Sequence, residues 1–352
     1  MRSVPVYAAK PYEVKIGEGL IGGCGEEIRK ISNAVRAAIV TDHTVSALYE
    51  ESVRQSLESA GISVCSFSFP AGEESKTLET YGKLIRFLSE ENLSRSDLIV
   101  ALGGGIPGDL AGFAAATYLR GIPFVQIPTT FLAAIDASVG GKTAVNLPKG
   151  KNLVGAFCQP SLVLCDPSSL RTLPEEIYSD GAAEAIKYGV IEGRDLFEKI
   201  AAGNWREQPQ EIIERCVAIK ARIVREDEFD TGARQILNFG HTFGHAIEKL
   251  SHYEISHGKA VGIGMLMAAR AAERFGISRE NCALPIAEAL KQNGLPLSCG
   301  FSAAGLAEAA YSDKKRSGVT VRMIFPEVIG RCVIRPVPVG ELEAFFRAGM
   351  EE

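Results

Sequence analysis

The chain has 352 residues, long enough for two domains, because single cores stop growing near about 250–300 residues. With 46% hydrophobic residues, 23% charged residues and a formal net charge of -5, it lacks the basic block that a nucleic-acid or anionic-membrane partner requires. The N-terminal "MRSVPVYAAKPYEVKIGEG" has no signal-peptide core, no run of about 18 apolar residues follows, and the eight cysteines form no CxxC pair. A cytoplasmic protein is expected, with no nucleic-acid or membrane partner, no disulfide framework and no thiolate zinc site.

The first half alternates short β-branched runs with helical patterns. "AVRAAIVTD" (34–42), "ISVCSFSF" (62–69), "DLIVALGGG" (97–105), "PFVQIP" (123–128) and "SLVLCD" (161–166) read as strands. "SALYEESVRQSLESA" and "TLETYGKLIRFLSEENL" lie between them as helices, so the repeat is β-α and the sheet largely parallel. From about residue 174 the pattern turns to long amphipathic or Ala-rich stretches, such as "PEEIYSDGAAEAIKYGVI", "QEIIERCVAIKARIV" and "GKAVGIGMLMAARAAERFG". The expected fold is an α/β N-terminal domain with a mainly parallel Rossmann-like sheet (1–173) and a mostly α-helical C-terminal domain (174–352). Ligands are expected in the cleft between the two.

"IVALGGGIPGDLAGFAAATYLRG" puts Gly103, Gly105 and Gly108 in G-x-G-x-x-G spacing between a strand and a helix. Glycines there let the backbone approach a pyrophosphate that meets free N–H groups at the helix start, although a tight strand-to-helix turn has the same spacing. Pro107 suits the first turn of such a helix. The acid expected about 20 positions further on is missing; Asp42, at the end of the strand 34–42, is the alternative ribose partner. A nucleotide site here would not have the ordinary Rossmann topology.

"NFGHTFGHAIEKLSHYEISHGKAVGIGM" holds His241, His245, His252 and His257, four of the chain's five histidines. On the helix starting near Gly240, residues Phe243, Ala246, Ile247 and Leu250 form an apolar stripe, with His241 and His245 on the opposite face. His257 precedes the next helix, whose dipole is expected to keep its imidazole neutral; His252 reads as a surface residue. A catalytic zinc site takes three His or carboxylate ligands and leaves one position open. Spacing favours His241 with His245 and leaves the third ligand undecided. Glu184, in "DGAAEAIKYGVI", is one candidate and fits equally an i, i+3 ion pair with Lys187.

Cations recur beside glycines or inside apolar helices: Arg120, Lys142, Lys151, Lys187, Lys220 and Arg234. In an acidic chain a local basic pocket would gather an anionic substrate. "GGKT" around Lys142 lacks the upstream glycine of a P-loop, so an ATPase is disfavoured.

"GGGIPGDLAGFAAATYLRG", "PTTFLAAIDASVGGKTAVNLPKGKNLVGAF", "TLPEE", "AAEAIKYG", "DEFDTGARQILNFGHTFGHAIE" and "HGKAVGIGM" closely resemble the 3-dehydroquinate synthases, the shikimate-pathway family of sugar phosphate cyclases. The similarity runs in register over about residues 34–330. It implies a lyase that converts 3-deoxy-D-arabino-heptulosonate 7-phosphate to 3-dehydroquinate and phosphate, within chorismate and aromatic amino acid biosynthesis. The implied steps are transient oxidation by NAD, phosphate elimination, reduction and intramolecular aldol closure, with no net redox change.

The resemblance also assigns residues. A zinc or cobalt ion would be held by Glu184, His241 and His257, leaving His245 to contact substrate and assist proton transfer. NAD would be met by Asp42, Glu73, Lys76, Gly103, Gly104, Gly105, Asp109, Thr129, Thr130, Lys142, Lys151 and Thr172. Substrate would be held by Asp136, Lys142, Asn152, Lys187, Lys220, Arg234, Asn238 and one lysine of "DKK", taken as Lys314. Arg120 would reach the substrate phosphate of a neighbouring subunit, implying a homodimer. Pro107 departs from the aliphatic residue of the relatives, and a monofunctional chain is expected. The rivals are a secondary-metabolic sugar phosphate cyclase, disfavoured by Arg234 and Asn238, and a metal- and NAD-dependent polyol dehydrogenase.

Overall fold

The computed structural model describes residues 1–314 and 319–350, with side chains described for 1–311 and 319–350. The chain forms two compact units, the first Met1–Leu173 with Ile213–Phe229, the second Pro174–Ile212 with Asp230–Glu352. The chain first leaves the α/β unit at residue 173, and the helix Pro209–Glu226 then carries Lys220 back into it.

The first unit is built on β1 (Arg2–Val6), β2 (Tyr12–Ile16), β3 (Arg36–Asp42), β4 (Ser63–Phe69), β5 (Leu98–Gly103), β6 (Phe124–Pro128) and, after a hairpin of β7 (Lys142–Leu147) and β8 (Gly150–Phe157), β9 (Leu162–Cys165). The seven-stranded sheet has the order β1-β2-β9-β6-β5-β3-β4 and is parallel except for the β1/β2 pair. Strands β5, β6 and β9 are buried throughout, as a parallel sheet covered on both faces requires. Alternation divides the side chains of β3, β5 and β6: Ala37, Ile39, Leu98, Val100 and Val125 pack with Ile28, Val53 and Leu57 on one face. Ala38, Val40, Ile99 and Ala101 pack with Leu84, Leu88, Leu110 and Ala114 on the other.

Chain order sets where a ligand fits. After β3 the chain moves outward to β4, then returns to place β5 on the opposite side of β3. The order therefore reverses between β3 and β5, and in open α/β sheets ligands bind outside the carboxyl ends of the strands at such a point. Asp42 and Gly103 stand at those two ends.

The second unit is mostly helical, with one added hairpin, β10 (Thr320–Val328) and β11 (Arg331–Pro338). Its central helix, His257–Arg274, is buried along most of its length. Gly264 lets the helix His241–Leu250 lie directly against it: a Cβ at Gly264 would stand 2.2 Å from the Gly240 carbonyl oxygen. Among the described residues, no helix is long and apolar enough to cross a membrane.

Candidate active site

In the second unit, the helix Glu175–Glu192 is buried over nearly its whole second half, and Glu184 and Lys187 lie inside it with side chains 2% exposed. They form an ion pair through Glu184 Oε2, while the buried Oε1 has no hydrogen-bonding partner among the described residues. A desolvated oxygen in that condition calls for a further partner beside Lys187, such as a second cation. Glu184 Oε1 instead faces two imidazoles, His241 Nε2 at 3.7 Å and His257 Nε2 at 3.5 Å. Zinc bonds of about 2.0–2.2 Å at tetrahedral angles set ligand atoms about 3.3–3.6 Å apart, so the three atoms suit one small divalent ion. Among the described residues, Glu184, His241 and His257 form the group with metal-ligand spacing.

The rings are held from behind. His241 Nδ1 lies 3.1 Å from the Phe239 carbonyl oxygen, which can only accept, so the proton sits on Nδ1 and the Nε2 lone pair faces Glu184. His257 Nδ1 lies 3.6 Å from Glu248 Oε2, a buried carboxylate. Burial, followed by the charges of Lys187, His257 and His245, holds the His241 pKa well below its ordinary value, as a ligand needs. His257 differs from the dipole-based expectation of a neutral ring. Burial opposes its charge, but Glu184 and Glu248 outweigh burial in the metal-free protein, pushing its pKa up to about 10.

His245 is exposed beside the triad, its ring centroid 5.4 Å from that of His241 and 6.4 Å from that of His257. In place of the i, i+4 pairing suggested by spacing, the residues brought to metal-ligand spacing are Glu184, His241 and His257, on three helices, the set that the family resemblance implied. Arg234 is almost fully buried in the turn Ala233–Asn238, which ends with half-buried Asn238 three residues before His241. His252 is exposed, as expected, and the Lys314 side chain lies outside the described residues. Glu248 escaped the sequence reading although its signal was present: His241, His245 and Glu248 stand at i, i+4 and i+7 on one helix face.

In the first unit, Gly103 has φ 148, and a Cβ there would meet Pro107 Cγ at 2.6 Å, so the loop Gly103–Gly105 requires glycine at its first position. The helix Gly105–Thr117 starts from Gly104 without a side-chain cap, leaving its first N–H groups directed outward. On the adjoining strand Asp42 Oδ1 accepts from the Thr44 and Val45 N–H groups at 2.9 and 3.0 Å. Thr129 N–H donates to the Gly103 carbonyl at 2.9 Å, while its buried Oγ1 has no hydrogen-bonding partner among the described residues. Thr130 Oγ1 caps Ala133 N–H at 3.2 Å.

A polar chain extends from this loop. Lys76 is ion-paired with Asp109 and donates to Asn152 Oδ1 at 2.6 Å; Asn146 donates to Glu73 Oε1 at 2.7 Å and accepts from Asn152 N–H at 2.8 Å. Burial pushes the Asp109 carboxyl above its ordinary pKa against the pull of Lys76. Lys220 pairs with Asp136 and donates to its carbonyl at 2.9 Å. Lys142 is exposed at the start of β7, Lys151 half-exposed on β8, and Arg120 exposed at φ 64 after the helix Gly105–Thr117. Thr172 Oγ1 lies 2.6 Å from the Tyr49 hydroxyl.

Comparison with known proteins places this arrangement. The family model described as 3-dehydroquinate synthase N-terminal matches residues 66–180, and that described as 3-dehydroquinate synthase C-terminal matches residues 181–316. The chain belongs to the 3-dehydroquinate synthase family. The 3-dehydroquinate synthase of Streptococcus pneumoniae (strain 70585) is 42% identical over 342 residues, covering 95% of this chain and 96% of that protein. Among solved structures, 2-deoxy-scyllo-inosose synthase complexed with carbaglucose-6-phosphate, NAD+ and Co2+ matches 99% of this chain and 100% of its own, at TM-score 0.88 and 27% identity. The 2-epi-5-epi-valiolone synthase of Streptomyces hygroscopicus subsp. jinggangensis 5008, with NAD+ and Zn2+ bound, matches 99% of this chain and 98% of its own, at TM-score 0.87 and 26% identity. The family's Rossmann-like and helical architecture is therefore that of sugar phosphate cyclases.

Proposed function

We propose that the protein converts 3-deoxy-D-arabino-heptulosonate 7-phosphate to 3-dehydroquinate and inorganic phosphate, as a cytoplasmic homodimer using NAD and one zinc or cobalt ion. The observation that carries this reading is the Glu184–His241–His257 cluster in a chain 42% identical to a 3-dehydroquinate synthase over 95% of its length. When bound, NAD supplies a hydride acceptor that is regenerated within the cycle, and the metal ion supplies a Lewis acid for the substrate hydroxyls.

The residues divide the remaining work. Asp42 Oδ1 is engaged in capping, so Oδ2 is left to accept from ribose hydroxyls, while the uncapped start of the helix after Gly104 offers N–H groups to a pyrophosphate. Thr129 Oγ1 supplies a further buried donor to the cofactor. Lys142, Lys187 and Arg234 neutralise the phosphate and carboxylate of the substrate, Arg234 by its planar fork. Asn152, Asn238 and the Lys220–Asp136 pair orient the polyol. His245, exposed beside the triad, carries protons at its imidazole nitrogens.

The test is to supply purified protein with the heptulosonate phosphate, NAD and zinc, and to follow phosphate, dehydroquinate and NADH together. Equal amounts of phosphate and dehydroquinate without net NADH are expected. Release only from sedoheptulose 7-phosphate or glucose 6-phosphate would identify a different cyclase, and accumulating NADH a plain dehydrogenase.

A further inference from the structure

The helix that begins with His257 has an unusual cap. Its N-cap residue is Ser256, a type whose own side chain ordinarily accepts the N–H two or three positions on, yet Ser256 makes no such bond. The acceptor comes from another helix: Asp180 Oδ1 accepts the Lys259 N–H at 3.1 Å and also the Ser256 hydroxyl. Gly258 permits this closeness, because a Cβ there would stand 2.0 Å from the Asp180 carbonyl oxygen. Asp180 lies four residues before Glu184 on the helix Glu175–Glu192, so both carboxylates share one face a turn apart. One grips the start of the second helix; the other faces its first residue.

We propose that Asp180 is a positioning residue that caps the His257 helix in trans and thereby fixes the separation of His257 from Glu184 at the metal site; this rests on the metal-ligand reading above. Both ligand atoms depend on a single junction between two helices, and the Asp180 carboxylate, favoured by the dipole at that helix start, holds it. Loss of this accepting oxygen frees the first turn, and His257 no longer presents Nε2 to Glu184 at ligand spacing.

The test uses metal-stripped, full-length protein titrated with Co2+ and with Zn2+, with calorimetry for affinity and the visible absorption of bound Co2+ for coordination geometry. Asp180→Ala, folded by circular dichroism, is expected to bind about 10-fold or more weakly, in the range seen when groups behind metal ligands are lost, and to shift the Co2+ spectrum. Asp180→Asn, whose side-chain carbonyl can still accept the Lys259 N–H, is expected to restore most of both. A folded Asp180→Ala protein with wild-type affinity and spectrum would overturn the proposal, as would an Asp180→Asn protein as weak as Asp180→Ala. If Asp180→Ala does not fold, Ser256→Ala decides: a several-fold weaker Co2+ affinity supports the clamp, and no change overturns it. Glu184→Ala separates the two levels. Binding retained in that variant overturns the ligand set and the clamp with it, whereas binding lost there and unchanged in Asp180→Ala overturns the clamp alone.

Discussion

His257 sits where three influences meet: a helix start that disfavours its charge, burial that does the same, and two carboxylates that favour it. In the metal-free protein the carboxylates win and raise its pKa from 6.5 to about 10. The stability contributed by this ion pairing is therefore fully present below pH 6.5 and is lost as the pH rises toward about 10. A bound metal ion needs the same nitrogen unprotonated, so zinc binding at pH 7–9 is expected to release a proton from this residue, with affinity rising across that window. Calorimetry in buffers of differing ionisation enthalpy reads the released proton directly. His257→Ala is expected to lower zinc affinity by two orders of magnitude or more and to abolish turnover while the chain stays folded; an active, metal-replete variant would remove His257 from the ligand set.

At the scale of elements, the strands were legible because each of β3, β5, β6 and β9 is a short β-branched run closed by turn residues, and a parallel sheet buried on both faces needs such runs. The hairpins were not. Pro5 and alternating exposure disguise β1, glycines and lysines obscure β7 and β8, and prolines interrupt β10 and β11, where pairing partners rather than local pattern decide the structure. The glycine loop and Asp42 were separately visible, but only the sheet order sets them at neighbouring strand ends. Helix packing yields its own prediction. Gly264→Ala forces a methyl to within 2.2 Å of the Gly240 carbonyl and is expected to cost about 1–3 kcal/mol and to displace His241, read as a lower thermal midpoint together with weaker zinc binding.

For the molecule as a whole, Arg120 offers the sharpest check on assembly, being exposed on a left-handed turn. If it serves a partner's substrate, Arg120→Ala dimers are expected to lose at least 10-fold in kcat/KM. Mixed dimers of Arg120→Ala and Glu184→Ala chains are expected to recover activity in the one site that draws an intact Arg120 from its partner. Full activity of the single variant would end the intersubunit role.

The sequence by itself determined the α/β and helical halves, the glycine loop and the histidine-rich stretch, because these depend on periodicity, turn chemistry and composition within a few residues. Its long motifs also determined the family resemblance. Tertiary structure decided which atoms meet. The family resemblance named Glu184, His241 and His257, but spacing alone favoured His241 with His245 because it describes one helix in isolation; only the fold brings the three together from three helices. The Asp180 cap, the Glu248 contact and the return of Lys220 to Asp136 likewise join residues whose sequence separation carries no local signal. Burial and close packing make those contacts, and both belong to the folded chain as a whole.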